Sequence, residues 1–297
     1  MTDIKILKLY GEVFEDYDIK KLTTFKIGGI VKYLIYPKNY LSLNLLINYL
    51  KENSVEYKMF GKGSNLLCGD EYFEGAIIKL DRFFNNYYID KDILIAESGC
   101  SIISLAYEMS KLGYSGLEFA SGIPATLGGC LYMNAGAYKQ DMSMVVDSVL
   151  IFNGDQFKWL SNEEIQYSYR YSIFHTKKDY IIIAAKIKLS KGEANEIKEK
   201  ILDRRNRRIS TQPLDKPSAG SVFKNCESKA AWQLIDELDL RGYKIGGAKI
   251  SEKHSNFIIN DGNAKSKDVV EIIDYVRNKV KDAYGFDLHV EVERFRC

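Results

Sequence analysis

The chain has 297 residues, of which 46% are hydrophobic and 28% are charged, a composition typical of folded proteins and not of disordered ones. This length exceeds what one hydrophobic core usually organises, so we expect two or three domains that could enclose a cleft. The 42 basic and 40 acidic residues give a formal net charge of +2, which provides no general field to attract nucleic acid or an anionic membrane, so we expect neither partner.

The N-terminal part of the chain predicts a β-α-β unit. The segment TTFKIGGIVKYLIYP has the pattern of a glycine turn followed by a strand that ends at Pro37. The segment LSLNLLINYLKEN predicts a helix, because its apolar residues repeat at helical spacing, namely Leu43, Leu46, Ile47 and Leu50. The segment VEYKMF then predicts a strand that leads into the stretch GKGSNLL.

Short apolar strands dominate the middle of the chain. GAIIKL, DILIAESG, DSVLIF and YIIIAAKIKL predict strands, and SIISLAYEMSKLG predicts a helix. The next helical segment, NEIKEKILDRRNRR, favours a solvated helix end over a phosphate-binding patch for its basic cluster, Arg204, Arg205, Arg207 and Arg208. The polar segment RRNRRISTQPLDKPSAGS marks a domain junction.

The C-terminal part predicts two helices, KAAWQLIDELDL and SKDVVEIIDYVRNKVKDAYG, with the strand SNFIIN between them. The final segment LHVEVERF alternates between apolar and polar residues, which is typical of a strand with one buried face. Its predicted apolar face carries Leu288, Val290 and Val292, and its polar face carries His289, Glu291 and Glu293. Together the elements predict a mixed α+β architecture.

The cysteines and the N-terminus indicate a reducing compartment. The cysteines are odd in number and form no CxxC pair, which predicts neither a disulfide framework nor a zinc site; they are Cys68, Cys100, Cys130, Cys226 and Cys297. The N-terminal residues are acidic where a signal peptide would be apolar, and no apolar run approaches membrane-spanning length. We expect a cytoplasmic protein without a metal site.

Two glycine-containing loops are candidates for holding a phosphorylated ligand. The first, Gly61–Leu67, follows a predicted strand, where glycine allows the backbone to approach an anion. It matches neither the Rossmann nor the Walker pattern, so taken alone it predicts a tight turn as readily as an anion site. The second, Ser121–Gly129, is followed closely by the small residues of Tyr132–Tyr138, and predicts a surface on which a large flat ligand lies against the backbone, with peptide N–H groups available for a pyrophosphate.

The order of the motifs resembles the MurB family of flavin-dependent reductases. TTFKIGG, GKGSNLL, SGIPATLGG, YMNAGAY, YRYSIF, QPLDKPSAGSVFKN, RGYKIGGAKISEKHSNFIIN and LHVEV occur in that family's order between about residues 23 and 292. The resemblance implies the FAD-binding fold of the vanillyl-alcohol-oxidase/MurB type in two subdomains, with a C-terminal α+β substrate domain. We expect these domains at residues 1–80 (joined by the C-terminal strand 288–297), 81–205 and 206–287.

The resemblance also implies a non-covalent FAD, NADPH as the reductant, and an NADPH-dependent reduction of UDP-N-acetylglucosamine enolpyruvate to UDP-N-acetylmuramate. The residues implied for the cofactor lie in the two loops and in the segment Asn134–Ala137, called the NAGA segment below. They are Gly61, Lys62, Gly63, Ser64, Asn65, Leu66, Ser121, Gly122, Ile123, Pro124, Thr126, Gly128, Gly129, Asn134, Ala135, Gly136 and Ala137.

Three residues match the family's catalytic positions. Arg170 resembles the arginine that stabilises the enolate, a role that suits a permanently charged guanidinium able to pair two carboxylate oxygens. Ser221 resembles the serine that donates a proton, although its sequence alone also fits a turn or helix-cap serine. Glu291 resembles the carboxyl that assists enol formation, although the alternating pattern alone favours an exposed glutamate.

The family also supplies candidate substrate contacts, which are Tyr169, Lys224, Asn225, Lys253 and His254. His254 equally fits a turn histidine. The chain resembles the shorter subclass, which lacks an inserted loop that carries a tyrosine over the substrate. Two departures from the family pattern are Ala125, in place of a glycine, and Cys226, in place of a proline. A flavin oxidase of the same fold, which would tether its flavin through His or Cys, is the alternative enzyme; we expect a monomer with a small-molecule substrate.

Overall fold

The computed structural model describes residues 3–226 and 229–296. The chain divides into two compact units, and each unit is assembled from separate segments of the sequence. The first unit comprises Met1–Asp16, Lys32–Lys62 and Glu74–Asn206, and the second comprises Tyr17–Val31, Gly63–Phe73 and Arg207–Cys297.

The longer helices form where the apolar residues recur at a spacing of three or four. Asn39 begins the helix that follows it, because its side chain accepts a hydrogen bond from the Ser42 N–H at 2.8 Å. Gly285 ends the last helix in a left-handed conformation (φ 77°). In chain order the α-helices of the described residues are α1 (Ile4–Tyr10), α2 (Tyr40–Glu52), α3 (Ile102–Lys111), α4 (Leu127–Met133), α5 (Asn162–Ile165), α6 (Ala194–Thr211), α7 (Ala231–Glu237) and α8 (Ser266–Tyr284).

Short 3₁₀ turns lie at Ile19–Leu22, Glu118–Ala120, Met142–Met144 and Ile173–His175. The strands are β1 (Gly11–Asp18), β2 (Ile30–Pro37), β3 (Tyr57–Phe60), β4 (Leu66–Cys68), β5 (Phe73–Lys79), β6 (Tyr87–Asp90), β7 (Ile93–Glu97), β8 (Tyr114–Ser115), β9 (Gly136–Ala137), β10 (Gln140–Asp141), β11 (Val146–Phe152), β12 (Phe157–Ser161), β13 (Ile181–Lys188), β14 (Ser190–Lys191), β15 (Ser218–Ser221), β16 (Lys244–Ile245), β17 (Ala248–Ile250), β18 (Phe257–Asn260) and β19 (Glu293–Phe295).

The first unit is built on two larger sheets. One has the strand order β1-β2-β5-β3, with β3 and β5 parallel. The apolar face of α2 packs in the core of this sheet, where Leu43, Leu46 and Ile47 are fully buried. The other sheet has the order β12-β11-β13-β7-β6 and is antiparallel between neighbours. A separate core around α3 and α4 covers this second sheet and places α4 beside the candidate site.

The second unit contains the antiparallel sheet β15-β18-β17-β16. Helix α8 supplies its apolar face to the core of this unit, with Val269, Ile272 and Val276 buried. The C-terminal strand β19 pairs with β4 in parallel, and Glu293 lies opposite Leu66. The second unit therefore brings the end of the first glycine-containing loop next to strand β19.

The predicted α+β architecture is confirmed, and one predicted strand is wrong in part. The segment LHVEVERF forms a regular strand only at Glu293–Phe295. Upstream of it, Val290 makes a single bridge to Phe223, and Leu288 is buried while His289 is exposed. The alternation of buried and exposed residues is therefore present at these positions, but the chain changes partner before β19 begins. No helix in the ranges 3–226 and 229–296 is both long and apolar enough to cross a bilayer.

Candidate active site

The two glycine-containing loops meet within the first unit. A Cβ added to Gly61 would lie 2.7 Å from Thr126 Oγ1, so only glycine leaves room for the second loop to approach this closely. The Thr126 hydroxyl in turn accepts a hydrogen bond from the Gly129 N–H at 3.3 Å and caps α4. Residues 61 and 126, which are far apart in sequence, therefore lie in close contact.

The second loop satisfies many of its own backbone groups. The Gly128 N–H donates to the Ser98 carbonyl at 2.8 Å, and the Ala125 N–H donates to the Ile123 carbonyl at 2.8 Å. The Ser121 hydroxyl donates to the Glu118 carbonyl at 2.8 Å. These donors are thus occupied inside the chain, contrary to the expectation of available N–H groups at these positions. Partial exposure remains along the loop at Gly122, Ile123, Pro124, Gly128 and Gly129.

A buried lysine lies beneath the first loop. The Lys79 ammonium donates to the Gly61 carbonyl and forms an ion pair with Asp81 at 3.2 Å. Burial lowers the pKa of Lys79, although the Asp81 carboxylate opposes this shift. Because a trans peptide directs its C=O and N–H to opposite sides, fixing the Gly61 carbonyl also fixes the direction of the Lys62 N–H. A cavity of about 300 Å³ opens beside this loop, with Lys62, Asp81 and Ser101 in its lining.

Arg170 lies in a tight turn of the first unit. Ser168 and Tyr171 exchange both backbone hydrogen bonds at 3.1 Å, and Arg170 adopts a left-handed conformation (φ 54°) between them. Its Nη2 donates to the Gly136 carbonyl at 3.0 Å, and its guanidinium lies 5.3 Å from the centre of the Tyr169 ring. The half-buried guanidinium is therefore oriented by the NAGA segment and by its aromatic neighbour.

The NAGA segment supports this turn. Asn134 caps α4 in a left-handed conformation (φ 44°), and its Nδ2 donates to the Ser168 carbonyl at 3.0 Å. A Cβ added to Gly136 would lie 2.6 Å from Asp141 Cβ, so the β9-β10 hairpin requires glycine there. Ala135 and Ala137 remain partly exposed on either side of Gly136.

Ser221 ends strand β15 immediately after a bulge. Gly220 has a φ of 78°, and the pairing of β15 with β18 shifts register between Ser218 and Ser221. Bulges of this type redirect the side chain that follows them and recur beside active sites. Ser221 lies opposite Phe257 and is partly exposed.

Glu291 lies on the segment adjacent to Ser221. The Glu291 N–H donates to the Val222 carbonyl at 2.7 Å, and the Glu291 carbonyl accepts a hydrogen bond from Asn65 Nδ2 at 3.1 Å. Gly63 lies in the same unit with a φ of 62°, and its carbonyl accepts a hydrogen bond from the Thr24 N–H at 3.3 Å. Ser64 and Leu66 flank Asn65 and are partly exposed. The second unit thus brings two catalytic candidates together with four of the cofactor candidates.

The substrate candidates of the second unit have mixed environments. The Lys224 N–H donates to the His289 carbonyl at 2.8 Å. Asn225 Oδ1 accepts a hydrogen bond from the Ala231 N–H at 3.1 Å, and Lys253 Nζ donates to the Ile209 carbonyl at 2.5 Å. His254 Nδ1 lies 3.3 Å from the Asn256 N–H, and burial, followed by the charge of Arg241, lowers the pKa of His254. Tyr169, in the first unit, is 52% exposed and so presents its ring to solvent.

Sequence reasoning did not identify Lys79 as part of the site, although a lysine within the apolar segment GAIIKL was a usable signal. It also described Arg204 as part of a solvated helix end. The structure corrects that description for Arg204, which is half-buried, lies 4.8 Å from the centre of the Tyr138 ring and donates to Gln140 Oε1 at 3.2 Å. Helix α6 continues to Thr211, so Arg208 lies in its last turn and the other three arginines precede that turn.

The thiols near the loops are buried. Cys68 and Cys130 are both 0% exposed, and burial raises the pKa of Cys130 to about 12. A protonated, inaccessible thiol is a poor nucleophile. Neither cysteine is therefore suited to tether a flavin, which disfavours the oxidase alternative in its tethered form.

Comparisons with family models match both parts of the chain. Residues 31–155 match the model described as "FAD binding domain". Residues 212–295 match the model described as "UDP-N-acetylenolpyruvoylglucosamine reductase, C-terminal domain". The first match includes both loops and the NAGA segment, and the second includes Ser221 and Glu291.

Individual relatives cover almost the whole chain. A UDP-N-acetylenolpyruvoylglucosamine reductase from Anoxybacillus flavithermus is 43% identical over 284 residues, which are 95% of this chain and 94% of the relative. One from Bacillus licheniformis is 40% identical over 294 residues, 99% of this chain and 97% of the relative. The crystal structure of UDP-N-acetylenolpyruvylglucosamine reductase (MurB) from Thermus caldophilus has a TM-score of 0.81 at 31% identity and covers 96% of this chain and 98% of that one.

Proposed function

The chain belongs to the UDP-N-acetylenolpyruvoylglucosamine reductase (MurB) family, and from this premise we propose that it reduces UDP-N-acetylglucosamine enolpyruvate to UDP-N-acetylmuramate with FAD and NADPH, in peptidoglycan precursor synthesis. The observation that carries the proposal is the backbone hydrogen bond of 2.7 Å from the Glu291 N–H to the Val222 carbonyl, because it joins the backbone of the candidate acid to the residue that follows Ser221. Both residues lie in the segment that matches the family's C-terminal model.

The first unit supplies a backbone surface that fits a dinucleotide. Gly61 has no room for a Cβ against Thr126, and Gly122 and Gly129 leave their backbone partly exposed. We assign FAD to this surface and to the NAGA segment; in the first unit its binding residues are Gly61, Lys62, Ser121, Gly122, Ile123, Pro124, Thr126, Gly128, Gly129 and Asn134–Ala137. The cofactor residues of the second unit are Gly63, Ser64, Asn65 and Leu66. When bound, FAD supplies the hydride, which NADPH replenishes. The buried Cys68 and Cys130 support a non-covalent cofactor.

Arg170 stabilises negative charge on the substrate in this proposal. Hydride addition at the terminal enolpyruvyl carbon spreads charge into the carboxylate, and a planar guanidinium can pair two carboxylate oxygens at once. The hydrogen bond from Nη2 to the Gly136 carbonyl and the Tyr169 ring hold the side chain in one orientation before substrate arrives. Such preorganised donors typically contribute about a hundredfold to a thousandfold in rate.

Ser221 donates the proton to the carbon that bears the ether oxygen, and Glu291 assists formation of the enol. A hydroxyl is a weak acid, so it serves only where the acceptor is a strongly basic carbanion and the geometry is fixed. The bulge at Gly220 provides this fixed geometry for Ser221. We further assign the nucleotide sugar to Tyr169, Lys224, Asn225, Lys253 and His254.

We also propose the three-domain division predicted from the sequence, the shorter subclass, a monomeric state and a cytoplasmic location, with no nucleic acid or membrane partner. The balanced charge of the chain supports the absence of a nucleic acid partner and of a membrane partner. The oligomeric state is checked by sedimentation of the flavin-bound protein, for which a sedimenting mass near 34.0 kDa is expected.

The test of the function separates the two half-reactions. Stopped-flow absorbance follows reduction of the bound flavin by NADPH, and then its reoxidation by the enolpyruvyl nucleotide sugar. Ser221→Ala is expected to leave the first step at the wild-type rate and to slow the second. Ser218→Ala, on the same strand, is the control and is expected to leave both steps unchanged. Equal losses in both steps for Ser221→Ala would show that this serine serves the fold, and a protein that takes up no FAD would refute the function itself.

A further inference from the structure

The conformation of Arg170 needs support from elsewhere in the chain. A non-glycine residue in the left-handed region costs roughly 1–2 kcal/mol, and long side chains are rare there. Arg170 adopts this region (φ 54°) in the four-residue turn Ser168–Tyr171, in which Ser168 and Tyr169 are exposed. Such a conformation persists only where surrounding contacts determine it. The turn's own pair of backbone hydrogen bonds is a small part of such support.

Asn134 provides a contact of the required kind. Its side chain is only 2% exposed, and Nδ2 donates to the Ser168 carbonyl at 3.0 Å. Its Oδ1 accepts a hydrogen bond from the Ser143 N–H at 3.0 Å. Both halves of the amide are therefore engaged with the backbone of the first unit, and one half holds the first residue of the arginine turn.

The position of the Asn134 amide is itself fixed by the end of a helix. Asn134 follows α4 with φ 44° and ψ 54°, and its N–H donates to the Leu131 carbonyl at 3.4 Å. Asparagine adopts this left-handed position more readily than other side-chain-bearing residues. A glycine would also adopt it but would leave the Ser168 carbonyl without this donor.

A second tie runs between the same two segments. The Ser172 hydroxyl, which is fully buried, donates to the Tyr132 carbonyl at 2.5 Å. On the other side of Asn134, the Gly136 carbonyl accepts the hydrogen bond from Arg170 Nη2. The backbone of the arginine turn and the guanidinium of Arg170 are thus both hydrogen-bonded to residues 132–136.

From these contacts we propose that Asn134 is a positioning residue, whose amide holds the Ser168–Tyr171 turn so that Arg170 meets the substrate carboxylate. The inference rests on the proposed role of Arg170. The NAGA segment consequently has two functions, because its small residues offer backbone to the cofactor while the asparagine side chain serves the arginine. A misplacement of about 1 Å in a group that orients the reaction can cost about a hundredfold in rate.

The test compares Asn134→Asp with a matched asparagine. Asn134→Asp keeps an acceptor for Ser143 and replaces the donor to Ser168 with a charged carboxylate oxygen, so the control has to introduce the same charge. Asn162→Asp is the control, because Asn162 Nδ2 also donates to backbone carbonyls of the first unit, those of Ser143 and Val146, but does not touch the arginine turn. Asn134→Asp is expected to slow flavin reoxidation by the enolpyruvyl substrate about tenfold to a hundredfold. Because both halves of the Asn134 amide bond the protein backbone and the segment offers only its backbone to the cofactor in this proposal, flavin reduction by NADPH and the visible spectrum of Asn134→Asp are expected to stay as in the wild type. Asn162→Asp should change neither step.

A double-mutant cycle then shows whether Asn134 acts through Arg170. If it does, the variant Asn134→Asp/Arg170→Met is no slower in the substrate step than Arg170→Met alone. Additive losses, or a loss in the NADPH step, would overturn the inference and leave the role of Arg170 standing. A wild-type substrate step in Arg170→Met would overturn both. If the aspartate variant does not fold, Asn134→Gly retains the left-handed backbone and enters the same cycle with the same two outcomes.

Discussion

Arg170 in the first unit and Ser221 in the second both lie on irregular backbone, but in different ways. In the second unit, the left-handed residue is Gly220 (φ 78°), and Ser221 follows it in the strand. In the first unit, the left-handed residue is Arg170 itself (φ 54°). A glycine adopts such a conformation without steric cost, whereas the arginine needs contacts that outweigh it.

The supporting contacts differ accordingly. On the serine side, the Val222 N–H donates to the Asn256 carbonyl at 2.9 Å, and the buried Asn256 amide bonds the backbone of Phe223, two positions after Ser221. The arginine turn depends on two side chains, Asn134 and Ser172. The difference therefore lies in the left-handed residue: the serine site should be sensitive to replacement of Gly220, and the arginine site to replacement of Asn134 or Ser172.

The largest expected effect comes from a pair of variants at Arg170. Arg170→Asn and Arg170→Val both remove the guanidinium, so both should slow the enolpyruvyl step about a hundredfold to a thousandfold. Asparagine tolerates the left-handed region and a β-branched valine does not. A difference of about 1 kcal/mol should lower the thermal midpoint of the valine variant by about 2–4 °C relative to the asparagine variant. Equal midpoints, measured by differential scanning calorimetry, would contradict strain at this position.

A smaller loss of rate is expected from Gly220→Ala. Alanine at φ 78° is strained, and relaxing that strain undoes the bulge and turns Ser221 away, so the enolpyruvyl step should fall about a hundredfold. Gly262→Ala is the control, because Gly262 also has a positive φ (125°) and has open space around it. It should lower the thermal midpoint comparably and leave the rate unchanged. A wild-type rate in Gly220→Ala would show that Ser221 does not depend on the bulge.

Much of the fold could be predicted because its signals are local. The helices α2, α3 and α8 follow from apolar spacing, and the strands β2, β5, β11 and β13 follow from short apolar runs. The edge strands β6 and β12 were not predicted, because they present mostly exposed residues and their pairing depends on a neighbouring strand.

At the candidate site, sequence signals identify single residues but not the contacts between them. The motifs named Arg170, Asn134 and Ser221 as candidates, but nothing near Arg170 in the sequence indicates a left-handed conformation there. The bond from Asn134 to Ser168 joins residues 34 positions apart, and that from Asn65 to the Glu291 carbonyl joins residues 226 apart. Contacts of this kind depend on how the chain folds over its whole length, so the residue list was accessible from sequence and its geometry was not.

The first glycine-containing loop is supported by a charged side chain, because the Lys79 ammonium donates to the Gly61 carbonyl. Lys79→Met removes the donor to the Gly61 carbonyl, and hydrogen bonds to charged groups contribute about 1.5–3 kcal/mol, so FAD should bind at least about tenfold more weakly. Lys32→Met is the control, because Lys32 forms an exposed ion pair with Glu74 on the same sheet, and such pairs contribute little. FAD affinity is measured by titrating apoprotein and following flavin fluorescence. Unchanged affinity in Lys79→Met would show that the loop keeps its geometry without the lysine.

The smallest effect is expected from the pH dependence of the second unit through His254. Burial, followed by the charge of Arg241, lowers the folded-state pKa of His254 below its ordinary value of 6.5, while the nearby Asp236 opposes the shift. As the pH falls below about 6.5, the unfolded chain takes up a proton that the folded chain resists, so the free energy of unfolding decreases with falling pH. His254→Asn keeps a side-chain acceptor for the Asn256 N–H and removes this titration. Its thermal midpoint should therefore decline less between pH 7 and pH 5 than that of the wild type. If the His254→Asn curve runs parallel to the wild-type curve, the histidine is hydrated in the folded protein and its burial does not contribute to the stability of this unit.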